Sequence, residues 1–310
     1  MLSNMIQLQR AVENPILTPS QHAWEDMLVF NPGAVMDKGV IYLLYRAKGN
    51  QDRISRFGIA TSTDGIHFQR SDKPAYHGDQ HIYEQHGIED PRLVKIDGIF
   101  YFVYTAVIED ITAEVDPRWS EQISKRPQIA LSATKDFEFY HEYGIILPDV
   151  VGKDASLFPR KINGQYYLLY RAGVGETFLA KSDVLDQWWE RYSIFDRRAD
   201  FWDNERVGVG APPIETEKGW LLFYHGIDEK NMYRLGIMIL DLNDPLKILY
   251  RSPEPIFEPE TDYEKVGYIP NVVFTCGAIE KDGQYFVYYG AADQVIGVAT
   301  IDKQSVLKLI

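Results

Sequence analysis

The stretch "PRLVKIDGIFYFVYTA", Pro91 to Ala106, is two apolar runs hinged at Asp97-Gly98. Aspartate followed by glycine suits a two-residue hairpin, because both central residues of such a turn take positive φ. The second run ends in a tyrosine and a small residue, and that ending recurs. It appears in "YLLYRA" from Tyr42, "YLLYRA" from Tyr167, "LLFYHG" from Leu221 and "YFVYYG" from Tyr285. With "YFVYTA" from Tyr101 included, the starts lie 59, 66, 54 and 64 residues apart, which divides the chain into five units. An apolar segment and a turn precede each run, with Asn163-Gly164 and Asp282-Gly283 again strong hairpin signals. A third segment follows each: "FGIATSTDG", "IALSATKDF", "TFLAKSDVL", "LGIMILDLN" and "IGVATIDKQ".

Each unit therefore reads strand, tight turn, strand, loop, strand, with room for a fourth strand, and helical periodicity is scarce. About four antiparallel strands cannot bury both faces alone, whereas several such sheets packed radially can, leaving only short edges. The spacing exceeds the ~40–50 residues of common propeller repeats, consistent with long loops between strands. The expected fold is all-β, a five-bladed β-propeller forming one domain over residues 1–310, with its site at one end of the central channel.

Composition bounds the partners. The chain has 310 residues, 45% hydrophobic, with a formal net charge of −13. Such acidity argues against nucleic acid or anionic membrane as a general partner. Nothing approaches ~18 consecutive apolar residues, so no membrane span is expected. The opening "MLSNMIQLQRAVENP" lacks the basic and apolar regions of a signal peptide, so a cytoplasmic protein is expected. A single cysteine, Cys276, excludes an intramolecular disulfide and lies in the apolar run "NVVFTCGA", where a core position is expected.

In a propeller the segment before each tight turn is the candidate inner strand, and its first residues line the channel mouth. Those positions hold Asn31, the pair Glu89 and Asp90, the pair Lys153 and Asp154, Arg206, and Asn271. The second strands end in a further polar set, Arg46, Thr105, Arg171, His225 and Tyr289. An arginine or histidine inside an apolar strand is costly to bury without a partner. Two readings are equal at this point: salt bridges internal to the propeller, or a basic cluster for an anionic ligand.

The ordered set "FNPGA", "GIEDPRL", "KDASLFPRKINGQYYLLYRAG", "GAPPI", "GWLLFYHG" and "YGAADQVIGVA" resembles glycoside hydrolase family 130, from about Asn14 to Ala299. That family comprises β-mannoside phosphorylases and some β-mannosidases on a five-bladed propeller. The resemblance implies that Asp90, the aspartate of "EDPR", is the general acid. It also implies inverting phosphorolysis, in which β-mannoside and inorganic phosphate give α-mannose 1-phosphate and a shortened acceptor. An inverting hydrolase needs a second carboxylate to activate water. Phosphate is already an anionic nucleophile and needs cations instead.

The resemblance places those cations at Lys153, Arg171, Arg206 and His225. Arginine offers bidentate geometry for phosphate, and lysine a point charge. Many family phosphorylases carry Arg-Asn where this chain has Lys153-Asp154, and lysine at the position of Arg206. Asn31, Arg46 and Asp293 match sugar-contacting positions, Glu89 is a further candidate contact, and Arg92 is expected to brace a neighbouring carboxylate. No cofactor is expected beyond phosphate as co-substrate, and no metal, since His81 and His86 flank the acid without a third ligand. Tyr83, Trp119, Trp202 and Tyr263 are loop aromatics that sugar stacking or packing would equally explain. The partners expected are a β-mannoside oligosaccharide and phosphate, with homo-oligomers common in the family. The alternatives are a β-mannosidase using Glu205 or Glu264 as base, and a non-catalytic sugar-binding propeller.

Overall fold

A computed structural model describes residues 6–78, 81–109, 125–173 and 175–309. Its strands form five separate antiparallel sheets, one for each sequence unit. The first blade runs Leu28–Asp37, Val40–Lys48, Ser55–Ser62 and Gln69–Arg70, and the second Ile88–Ile96, Ile99–Glu109, Lys125–Thr134 and Tyr140–Ile145. The third is Gly152–Leu157, Tyr166–Ala172, Glu176–Ser182 and Glu190–Phe195. The fourth splits its inner strand into Arg206–Val209 and Ile214–Thr216, followed by Gly219–Ile227, Tyr233–Leu240 and Ile248–Arg251. The fifth takes Val273–Lys281, Gln284–Ala291 and Val295–Asp302 from the end of the sequence, and Gln9–Arg10 from its beginning as outermost strand.

Consecutive residues of the "YLLY" runs serve different clusters. Leu43 packs between the first and fifth blades and Leu44 between the first and second, while Leu168 and Leu169 divide likewise between the second and fourth blades. Strand side chains alternate between faces. A blade buried on both faces therefore shows a continuous apolar run instead of an alternating one. Five such clusters, one per pair of neighbouring blades, make up the core.

At the axis the inner strands meet backbone to backbone. A Cβ on Gly33 would lie 2.5 Å from the Pro91 carbonyl oxygen, and one on Gly277 2.4 Å from the Ala34 nitrogen. Cys276 lies on this inner layer with Val272 and Phe274, fully buried as expected. Among the described residues no helix is long and apolar enough to cross a membrane.

Candidate active site

Three inner strands carry the same irregularity at the same place. In the first blade Phe30 pairs with Arg46 and Gly33 with Leu44, so Asn31 and Pro32 face Tyr45 alone. In the second, Asp90 and Pro91 sit between the pairs Glu89–Thr105 and Arg92–Val103, facing Tyr104. In the third, Asp154 and Ala155 sit between Lys153–Arg171 and Ser156–Leu169. The first residue of each bulge is left-handed, with φ of 48° at Asn31, 53° at Asp90 and 57° at Asp154. Asparagine and aspartate tolerate that region better than other side chains. A bulge re-aims the side chain it carries, and here it turns three polar groups inward at one end of the channel.

These groups bind one another around the ring. Asn31 Nδ2 donates to Asp90 Oδ1 at 2.9 Å. Arg46 Nη1 donates to the same oxygen at 3.2 Å, its Nη2 to Glu89 Oε1 at 2.6 Å, and its Nε to Ser55 Oγ at 2.9 Å. Asp90 is buried but its neighbour Glu89 is only half-buried, with Lys153 Nζ 3.8 Å from the other Glu89 oxygen. Arg92 is fully buried and braces as expected, joining three blades. It donates to the Asp90 carbonyl at 2.8 Å, to Asp154 Oδ1 at 3.2 Å, and to the carbonyls of Gly210 and Val209 at 3.2 and 3.0 Å.

The cationic side is less cationic than a residue count implies. Arg171 donates through Nε to Asp154 Oδ2 at 2.6 Å, and both are buried. Asp154 is held well below the usual carboxylate range because Arg171, His225, Arg92 and Lys153 together outweigh its burial. His225 Nε2 stands 3.7 Å from the same oxygen. Burial, with Arg171, Arg92 and Arg206 nearby, pulls the imidazole down to about 3 despite Asp154, so His225 is neutral at ordinary pH. The internal-ion-pair reading of the polar strand ends holds for Arg171, which also stands beside Lys153 and within electrostatic reach of His225.

Asp293 occupies the hairpin between the last two strands, with φ of 51°. It is a turn residue and also part of the mouth: burial, reinforced by Asp90 and Glu89 against Arg46 and Lys153, pushes its carboxyl up to about 7. Tyr233 escaped notice in the sequence. It stacks beside His225, centroids 6.2 Å apart, and feels Arg206, Asp293, Arg171 and Asp154.

Several expectations fall elsewhere. Tyr289 does not join the polar strand ends: it pairs with Gly297 as Tyr45 pairs with Gly58, one register position earlier than the sequence alignment places it. Its hydroxyl donates to Glu264 Oε1 at 2.9 Å. Glu264 is fully buried, gripped by Arg10 Nε at 2.8 Å, and closes a capping box on the helix Asp262–Lys265, so it cannot reach a water at the mouth. Glu205 is exposed at the start of the fourth blade. Trp202 packs on Tyr224, Tyr263 bonds the Tyr289 hydroxyl and Tyr83 stacks on His81, while Trp119 lies outside the described residues. Among the described residues no cluster is suited to a metal, and His81 pairs with Glu142.

An all-β ring with a polar, charge-paired mouth into which Asn31, Asp90 and Asp154 are turned is the architecture of a carbohydrate-active propeller. The family model of glycoside hydrolase family 130, described as beta-1,4-mannooligosaccharide phosphorylase, matches residues 9–310, and the chain belongs to that family. A 1,2-beta-oligomannan phosphorylase of Thermoanaerobacter sp. (strain X514) is 43% identical over 309 residues, covering 97% of this chain and 99% of the relative. A beta-1,2-mannobiose phosphorylase of the same organism is 39% identical over 317 residues, with 97% and 99% coverage. Among solved structures, the beta-1,2-mannobiose phosphorylase of Listeria innocua in complex with beta-1,2-mannobiose superposes with a TM-score of 0.86. It is 30% identical and covers 98% of this chain and 99% of that one.

Proposed function

We propose that this chain is an inverting β-mannoside phosphorylase that prefers β-1,2-linked manno-oligosaccharides. The observation carrying the reaction type is the asymmetry of the mouth. One side presents Asp90, buried and held by Asn31 and Arg46. The other presents Lys153, Arg171 and Arg206 around a neutral His225. The preference for β-1,2 linkage rests on the relatives' activities.

In this reading Asp90 supplies the proton that the departing sugar oxygen needs. Phosphate attacks the anomeric carbon from the opposite face, the carbon–oxygen bond to the leaving sugar breaks, and the product is α-mannose 1-phosphate. The cations hold phosphate in line and offset its charge, which is electrostatic preorganisation. Asp154 keeps Arg171 in one orientation for that purpose. Asn31, Arg46, Glu89 and Asp293 hold the mannose in the cleaved position.

Hydrolysis is the second reading, and one observation favours keeping it: Asp293 is a carboxylate poised near neutrality beside Asp90. The test is incubation with β-1,2-mannobiose, with and without phosphate, followed by phosphorus NMR. Phosphate-dependent α-mannose 1-phosphate is expected. Equal release of free mannose in both tubes would sink the phosphorylase reading. β-1,4-mannobiose run in parallel tests the linkage.

A further inference from the structure

The blades share a device beneath the mouth. In the first, Tyr45 donates to the fully buried Glu25 at 2.7 Å, and Arg70 of the outermost strand completes the group at 3.1 Å. In the fourth, Tyr224 donates to Asp203 at 3.0 Å and Arg251 joins at 2.7 Å. In the fifth the partners are Tyr289, Glu264 and Arg10. In the third, Arg191 takes Asp149 at 2.5 Å. The arginines are register equivalents: Arg70 faces Ala60, Arg191 faces Ala180, Arg251 faces Met238 and Arg10 faces Ala299. Each carboxylate stands in the loop leading to its blade's inner strand. Glu25 is six residues ahead of Asn31, and Asp203 six ahead of Val209.

Among the described residues the second blade has the tyrosine and the carboxylate but not the arginine. Glu84, six residues ahead of Asp90, is buried and accepts from Tyr104 and, at 3.3 Å, from Tyr76. The register position of the arginine, facing Ser132, holds Glu142, which turns to His81. Glu84 Oε2 is buried without a partner. We propose that Glu84 is a positioning residue for Asp90, latching the bulge that carries the acid, in the one blade where this latch is held by hydroxyls and not by a guanidinium.

Two routes connect latch and acid. Tyr104, which grips Glu84, is the residue facing the Asp90–Pro91 bulge. The Glu84 carbonyl accepts from Gly87 N at 2.7 Å, and Gly87 has φ of 103°. A Cβ at Gly87 would lie 2.9 Å from Ser55 N, and Ser55 Oγ holds Arg46, which holds Glu89 and Asp90. Moving Glu84 shifts both the backbone leading to Asp90 and the guanidinium that orients it.

Exchanging the arginine for Glu142 also sets the charge state. The groups around Glu84 among the described residues include Tyr76, Tyr83, Tyr104, Ser132, Glu142 and His81. Burial and Glu142 raise its carboxyl above the ordinary range, against the pull of Tyr104, His81 and Tyr76. A carboxyl raised on folding stabilises most below its unfolded pKa and weakens as pH climbs through the folded one.

The proposal rests on Asp90 being the acid, so Glu84→Ala, Glu84→Gln and Asp90→Asn are assayed together on β-1,2-mannobiose and phosphate. Glu84→Ala is expected to lower kcat by about tenfold to a hundredfold, as misplacement of a catalytic group does, with KM for phosphate within about twofold. Glu84→Gln, which still accepts from Tyr104, is expected to recover most of the lost kcat. It should also flatten the fall in melting temperature that the wild type shows as pH rises. Should Glu84→Ala not fold, Tyr104→Phe removes the donor and is expected to give the same split. Wild-type kcat with only a lowered melting temperature, or an unchanged pH slope in Glu84→Gln, overturns the positioning role. Turnover by Asp90→Asn overturns instead the reading of Asp90, whatever Glu84 does.

Discussion

Arg171 and Asp154 form a buried ion pair, Nε to Oδ2 at 2.6 Å, across adjacent strands of the third blade. Asp154 is also the carboxylate partner of Arg92, so one carboxylate is shared by two guanidinium ions on different blades. Removing one partner of a buried pair leaves uncompensated charge, which costs roughly 3–5 kcal/mol. Asp154→Ala is accordingly expected to lower the unfolding free energy by about that amount in a denaturant titration. Because the Asp154 pKa is lowered on folding, its contribution is present above the ordinary carboxylate range and disappears as pH falls. A loss under about 1 kcal/mol would mean that Arg92 and Arg171 find other anions.

Arg206 tests the anion pocket without disturbing that pair. A charge-assisted hydrogen bond contributes about 1.5–3 kcal/mol, so Arg206→Ala is expected to raise the apparent KM for phosphate by about tenfold to a hundredfold. KM for the mannoside should stay within about twofold, because only phosphate needs the charge. Unchanged phosphate affinity would remove Arg206 from the pocket.

Asp90→Asn keeps a residue that tolerates positive φ and can still accept from Arg46, so the ring should fold as before. Loss of a general acid typically lowers turnover about 10²–10⁴-fold. That fall in kcat, at unchanged melting temperature, is the expected result. A loss of stability of comparable size would make Asp90 a structural residue first.

Asp293 gives the mouth a pH signature. Its carboxyl is raised to about 7 on folding, so the folded state favours the protonated form. The associated stability is complete only below the unfolded carboxylate pKa of about 4 and is lost as pH climbs from there through 7, by an amount on the order of a few kcal/mol. Melting temperature measured from pH 5 to 8 should therefore decline more steeply in the wild type than in Asp293→Asn. Parallel curves would show that Asp293 stays ionised. In the assay without phosphate, Asp293→Asn abolishing residual hydrolysis would identify it as the base of that side reaction.

The blades were legible because both faces of each sheet are buried, which leaves five apolar runs of one shape. The bulges were half legible: "FNPGA" and "EDPR" mark an amide or acid before proline, but not the left-handed backbone that aligns Asn31, Asp90 and Asp154. Tyr289 was misplaced by one position because the fifth blade's run, "YFVYYG", carries two adjacent tyrosines, and only pairing with Gly297 decides between them. Charge states were hidden for a different reason. His225 is neutral because of burial and neighbours distant in sequence, and Glu264 is no base because Arg10, at the far end of the chain, holds it. The latch carboxylates lie in loops of unequal length, so their equivalence emerges only from register.

The fifth blade is completed by Gln9–Arg10 pairing with Val295–Asp302, and Arg10 then reaches Glu264. The ring is therefore a clasp, whose two halves lie far apart in the sequence. Contacts so far apart in sequence are slow to form. Until that pairing forms, the fifth sheet lacks its outermost strand and Glu264 lacks its guanidinium partner. Closure and the bracing of the loop leading to the fifth inner strand then arrive in the same event, so an unfastened clasp loosens that loop as well as the edge.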